Sequence, residues 1–118
     1  MKTILLVEDD ISIRESLAEL LEMENYQVAL AANGEKAKKL LLQGFMPDLI
    51  VLDLLMPVMS GKSFLQDLEI RPILELIPVI VLTAGLSNEL PSKSVRAIIA
   101  KPPNIEELLQ TIKKLLNC

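Results

Sequence analysis

The chain has 118 residues, enough for one domain and little more. Apolar residues make up 51% and aromatics 3%, so an aliphatic core is available and the disordered class is excluded. A net charge of −4 excludes a domain-wide basic footprint for nucleic acid, and the absence of histidine excludes Ser-His, Cys-His and HExxH chemistry; the single cysteine, Cys118, excludes an intrachain disulfide and a multi-cysteine zinc site.

In chain order, Ile4-Leu5-Leu6-Val7 is a short continuous apolar run, as expected of a strand buried on both faces. Ile13, Leu17, Leu20 and Leu21 recur at helical spacing and predict a helix over Ser12 to about Met23. Asn25-Tyr26 turns the chain, Tyr26 reads as a packing residue, and Gln27 to Ala31 is a weaker strand. Asn33-Gly34 opens a second helix with Ala37, Leu40 and Leu41 on one face, and Gly44 stops it. Leu49 to Leu52 is a strong strand, followed by a helix from Gly61 with Phe64, Leu65 and Leu68 apolar. Pro72 and Pro78 bracket a connection leading to Val79-Ile80-Val81-Leu82. Ala97 to Ala100 is the fifth strand, and Asn104 with Glu107 predicts a capping box opening a last helix. Only Ala84 to Arg96 joins the last two strands, leaving room for a short helix near Ser87 to Lys93. Strands alternating with helices imply an α/β fold whose parallel sheet is covered on both faces.

No apolar stretch reaches the roughly 18 to 20 residues that span a bilayer. Glu8, Asp9 and Asp10 cut short the run that follows Lys2, which is no signal peptide. The expectation is a cytoplasmic protein without membrane contact.

The polar residues that follow the strong strands carry the chemistry. Glu8, Asp9 and Asp10 follow Val7, Asp53 follows Leu52, Thr83 follows Leu82, and Lys101 follows Ala100. Ligands of open α/β sheets bind outside the carboxyl ends of the strands, and right-handed crossovers bring those ends to one side. Glu8, Asp9 and Asp53 would then meet, and at 4 Å each pair of carboxylates costs about 1 kcal/mol in water and about 4 kcal/mol at an effective dielectric near 20. A hard divalent cation removes that cost. With a lysine and a hydroxyl beside it, the set suits a phosphoryl group and a carboxylate nucleophile. Taken singly these residues have ordinary readings: Asp10 favours the positive end of the next helix, and Lys101 alone is a solvated lysine.

The motifs ILLVEDD at 4–10, DLIVLDLLMPVMSG at 48–61, IPVIVLTA at 77–84 and AKP at 100–102 together resemble the receiver domain of two-component response regulators, of the chemotaxis type that forms a single domain. The resemblance implies a doubly wound, flavodoxin-like five-stranded parallel sheet of order 2-1-3-4-5, from which this chain departs by a shortened fourth helix in the brief Ala84 to Arg96 crossover, and one receiver domain over 1–118 with no output domain. It implies that Asp53 accepts a phosphoryl group from a histidine kinase or phosphotransfer protein. Mg²⁺ would be held by Asp9, by Glu8 through a water, by Asp53 and by the backbone carbonyl of Leu55. Lys101 would pair with the phosphoryl oxygens, with a cis bond to Pro102, and Thr83 would sense the phosphoryl group. A downstream protein would read the state from a monomer or weak dimer.

Several positions depart from the family pattern. Ile98 stands where the fifth strand usually carries an aromatic switch residue, Ser60 where an acid often precedes the glycine, and Pro103 where an aromatic often follows the proline. A degenerate receiver that binds partners without phosphorylation is therefore a rival reading. An Mg²⁺-dependent aspartyl phosphatase is another, against which stands Leu55 where such enzymes carry a second aspartate. Leu55 also cannot orient an attacking water with its side chain. Decay of the aspartyl phosphate should therefore accelerate in Leu55→Asn, measured by the half-life of the adduct; an unchanged or slower decay rejects the assignment.

Overall fold

The computed structural model describes residues 1–54, 59–67, 69–84 and 94–116. Five parallel strands, β1 (Thr3–Val7), β2 (Gln27–Ala31), β3 (Leu49–Asp53), β4 (Val79–Thr83) and β5 (Val95–Ala100), form one sheet of order β2-β1-β3-β4-β5. Around it lie α1 (Ile11–Met23), α2 (Gly34–Leu42), α3 (Gly61–Gln66), α4 (Arg71–Leu74) and α5 (Ile105–Leu116). Among the described residues no helix is long and apolar enough to cross a membrane.

The strand alternation sorts the aliphatic residues into two cores. Leu5, Val7, Ile50, Leu52, Val79 and Val81 point to one face, where Ala37, Leu41, Phe64, Leu65 and Leu74 of α2, α3 and α4 cover them. Ile4, Leu6, Leu49, Val51, Ile80 and Leu82 point to the other, against Leu17 and Leu21 of α1 and Leu108 and Ile112 of α5. Tyr26 packs at the edge of this second core. The three central strands are buried on both faces, which is why their sequences read as unbroken apolar runs.

Side-chain caps start the helices where the chain leaves the sheet. Asp10 Oδ1 accepts from Ile13 N at 2.9 Å, Asn33 Oδ1 from Lys36 N at 2.9 Å, Ser60 Oγ from Ser63 N at 3.1 Å, and Asn104 Oδ1 from Glu107 N at 3.0 Å. Each satisfies a backbone N–H that the first helical turn leaves open. Gly44 ends the α2 connection with φ +97°.

Three sequence expectations need correction. The fifth strand begins at Val95 rather than Ala97, because the edge strand alternates exposed residues with half-buried or buried ones and Arg96 interrupts the apolar run without leaving the sheet. The segment between Pro72 and Pro78 holds a helical turn, α4, with Pro72 near its start where a missing N–H costs nothing. The third helix ends at Gln66, before Leu68. Leu68, the short helix expected near Ser87 to Lys93, Cys118 and the Leu55 carbonyl lie outside the described residues.

Parallel pairing sets the carboxyl ends side by side: Val7 opposes Leu52, Asp53 opposes Leu82, and Thr83 opposes Ala100. The start of α3 is pressed against the end of β3, with Gly61 N donating to Leu54 O at 2.9 Å. A Cβ on Gly61 would fall 2.6 Å from Asp53 O and 2.8 Å from Leu54 Cα, both backbone atoms with little freedom to retreat. Gly61→Ala should therefore destabilise the fold by about 1–3 kcal/mol, as overpacking does. Urea unfolding measures this, and an unchanged midpoint would contradict the close approach.

Candidate functional site

The chain leaves β1 at Val7 with Glu8 turned inward. Glu8 N donates to Ala31 O at 3.1 Å, continuing the β1–β2 pairing by one residue, and the Glu8 side chain is fully buried. Its neighbour Asp9 is exposed, with its N–H donating to Glu8 Oε2 at 3.0 Å. Asp53, 3% exposed, is the last residue of β3. Carboxylate oxygens of Glu8, Asp9 and Asp53 all lie within 4.8 Å of one another.

Lys101 reaches this cluster from just beyond β5. Its Nζ donates to Glu8 Oε1 at 3.0 Å and lies 3.2 Å from Asp53 Oδ2. Its backbone N donates to Thr83 O at 2.9 Å, which joins the ends of β4 and β5. Thr83 is buried at the end of β4, the strand beside β3. The Lys101–Pro102 peptide is cis. Five of the residues singled out from the sequence, Glu8, Asp9, Asp53, Thr83 and Lys101, thus sit at one edge of the sheet. Asp10 is the cap of α1 instead.

Arg14 belongs to the same region and was not singled out. Its Nη1 donates to Glu8 O at 2.8 Å and lies 3.5 Å from Asp9 O. One signal was readable: a cation four residues past the capping aspartate sits at the positive end of the helix dipole, an unfavourable place unless acids lie close by.

The family model of the response regulator receiver domain matches residues 4–113, nearly the whole chain. The chain belongs to this family.

This receiver is 36% identical over 119 residues to the phosphate regulon transcriptional regulatory protein PhoB of Pseudomonas aeruginosa, covering 98% of this chain and 52% of that one. It is 37% identical over 119 residues to the probable transcriptional regulator ycf27 of Cyanophora paradoxa, covering 98% of this chain and 48% of that one. The receiver therefore spans about half the length of the curated relatives it matches. Among solved structures, the response regulator TrrA of Thermotoga maritima, crystallised in complex with Mg(2+)-BeF, superposes with a TM-score of 0.86 at 39% identity, covering 98% of this chain and 100% of that one.

Receiver domains bind Mg²⁺ at an acidic pocket, and the donors here fit that ion. All are hard carboxylate oxygens, and oxygens around one octahedral Mg²⁺ stand roughly 3 to 4 Å apart, within the spacing found. Charge agrees: with all three acids ionised, Lys101 would leave an excess of two negative charges for a cation to neutralise.

The electrostatics show the strain of this packing. Burial raises Glu8 from the ordinary 4.5 to about 7, the hydrogen bond and charge of Asp53 add to the rise, and Lys101 opposes it. Burial pushes the Lys101 ammonium down, but its contacts with Glu8 and Asp53 outweigh that and hold it above its usual value.

The folded chain therefore holds the Glu8 proton more tightly than the unfolded chain does. The stability this gives is complete below about 4.5 and is lost as pH rises toward about 7. Between those limits the metal-free wild type should lose on the order of 2 kcal/mol more stability than Glu8→Gln. Urea unfolding of both proteins across this range checks it, and parallel curves would contradict it.

Proposed function

We propose that this receiver is a phosphoacceptor switch whose nucleophile is Asp53. The observation that carries the reading is the buried carboxyl of Asp53, paired with Lys101 at 3.2 Å and sharing a space of under 5 Å with Glu8 and Asp9. The donor is a phosphohistidine on a histidine kinase or phosphotransfer protein. An Asp53 carboxylate oxygen forms a bond to phosphorus as the P–N bond breaks, and the electron pair of that bond returns to the imidazole, which takes up a proton.

Asp9, Glu8 and Asp53, with the Leu55 carbonyl, would hold Mg²⁺. The ion, when bound, neutralises charge on the transferring group. Glu8 also anchors the Lys101 ammonium, which keeps a mobile cation beside the acceptor oxygen. On transfer Lys101 pairs with the new phosphoryl oxygens. Thr83, buried at the end of the adjacent strand, offers them a hydroxyl. Contacts available only to the phosphorylated state then shift a two-state equilibrium that a downstream protein reads. The protein is on this reading a regulatory acceptor that catalyses only its own phosphorylation and slow dephosphorylation, and it works in the cytoplasm as a monomer or weak dimer.

One observation favours the rival of a phosphorylation-independent binding module. Ile98, where an aromatic ring usually switches, is 45% exposed and aliphatic. The two readings part on covalent chemistry. Treatment with a small-molecule phosphodonor and Mg²⁺ should add one phosphoryl group to the wild type and none to Asp53→Asn, read by intact mass. No adduct on the wild type, or an equal adduct on Asp53→Asn, would overturn the assignment.

A further inference from the structure

The acidic pair sits on a turn that no strand pairing holds past Glu8 N. Its carbonyls, Glu8 O and Asp9 O, lie beyond the last paired residue of β1, and the guanidinium of Arg14 reaches back from the first turn of α1 to meet them at 2.8 and 3.5 Å. Around this point the backbone is otherwise tied by Glu8 N to Ala31 O, by Asp9 N to Glu8 Oε2, and by Asp10 capping α1. Arg14 thus holds the carbonyl of the peptide that joins the two acids at 2.8 Å and stands at the limit of hydrogen-bond distance from the carbonyl that follows Asp9.

We propose that Arg14 is a positioning residue of the cation site: it touches neither cation nor phosphoryl group, and it sets the acidic pair by gripping the backbone that carries it. The proposal rests on the reading of Glu8, Asp9 and Asp53 as the Mg²⁺ site. Arg14 exerts two effects of opposite sign. Its positive charge beside the acids opposes a second cation, whereas its grip on the carbonyls favours one by holding the ligands in place. Groups that orient metal ligands from outside the coordination sphere change affinity about 10-fold to 100-fold when removed. Coulomb repulsion across a solvated edge is weaker than this. Positioning should therefore win.

The sign of the change separates the two effects. Mg²⁺ is titrated by calorimetry into wild type, Arg14→Met, Arg14→Lys and Asp9→Asn, with folding verified by circular dichroism. Positioning predicts that Arg14→Met raises the Mg²⁺ dissociation constant about 10-fold. Arg14→Lys, which keeps the charge but loses the planar fork, should weaken binding by a smaller factor. Asp9→Asn should lose most of the binding. Tighter binding by Arg14→Met, or binding unchanged from wild type in both Arg14 variants, overturns the proposal while leaving the cation site standing. Absence of Mg²⁺ binding by the wild type, or undiminished binding by Asp9→Asn, overturns the cation site and this proposal with it.

Discussion

Three carboxyl groups delivered by the ends of two neighbouring strands share a space in which their oxygens lie within 4.8 Å. Two of them, Glu8 and Asp53, are buried, so water screens their repulsion poorly. Lys101 offsets part of it by bridging both. Burial first, and then the hydrogen bond and charge of Asp53, raise the proton affinity of Glu8 against the opposing pull of Lys101. A divalent cation held among these oxygens would offset their mutual repulsion. The remainder of the fold must be firm enough to keep the acids from moving apart.

That firmness comes from the two-faced aliphatic sheet. β1, β3 and β4 are the strands that carry the site, and they are also the strands with no exposed residue between Ile4 and Val7, Leu49 and Asp53, and Val79 and Thr83. Displacing any one of them would expose apolar surface on both faces at about 25 cal/mol per Å². The helices add a second restraint around Asp53. The start of α3 grips Leu54 through Gly61 N, and the start of α2 grips Met59 through Gly34 N at 3.2 Å. Neither glycine tolerates a Cβ, since Met59 Cγ and O lie 2.8 Å from one added to Gly34. The residues flanking the segment after Asp53 are thus tied to two helix N-termini.

The central strands were legible because burial on both faces leaves an unbroken apolar run of four residues, rich in β-branched side chains and bounded by polar or turn residues. The site was legible for a related reason: polar residues right after such runs stand out. The edges were harder. β2 and β5 expose one face in part, their sequences mix polar and apolar residues, and the start of β5 was placed two residues late. The four-residue α4 has too few positions to show a period. Arg14 escaped because its partners are backbone oxygens, which carry no side-chain signature to match against. The split between Glu8 and Asp9, one buried and one exposed, needed the structure, since adjacent acids look alike in a sequence.

That split divides the labour of the acidic pair. Glu8 spends its oxygens inside the protein, one on Lys101 Nζ and one on Asp9 N, so its charge is tied to the lysine that would meet a phosphoryl group. Asp9 is the member of the cluster that is open to solvent. At the same edge of the sheet the ends of β4 and β5 are joined through backbone. Thr83 O accepts from Lys101 N at 2.9 Å, and Thr83 stands opposite Ala100, two residues along β5 from the exposed Ile98. A β-branched aliphatic side chain has a restricted χ1 and no ring to exchange between a buried and an open position. The hydrogen-bonded ends of β4 and β5 thus form a backbone path from Thr83 to the β5 edge at Ile98, with Lys101 at the junction.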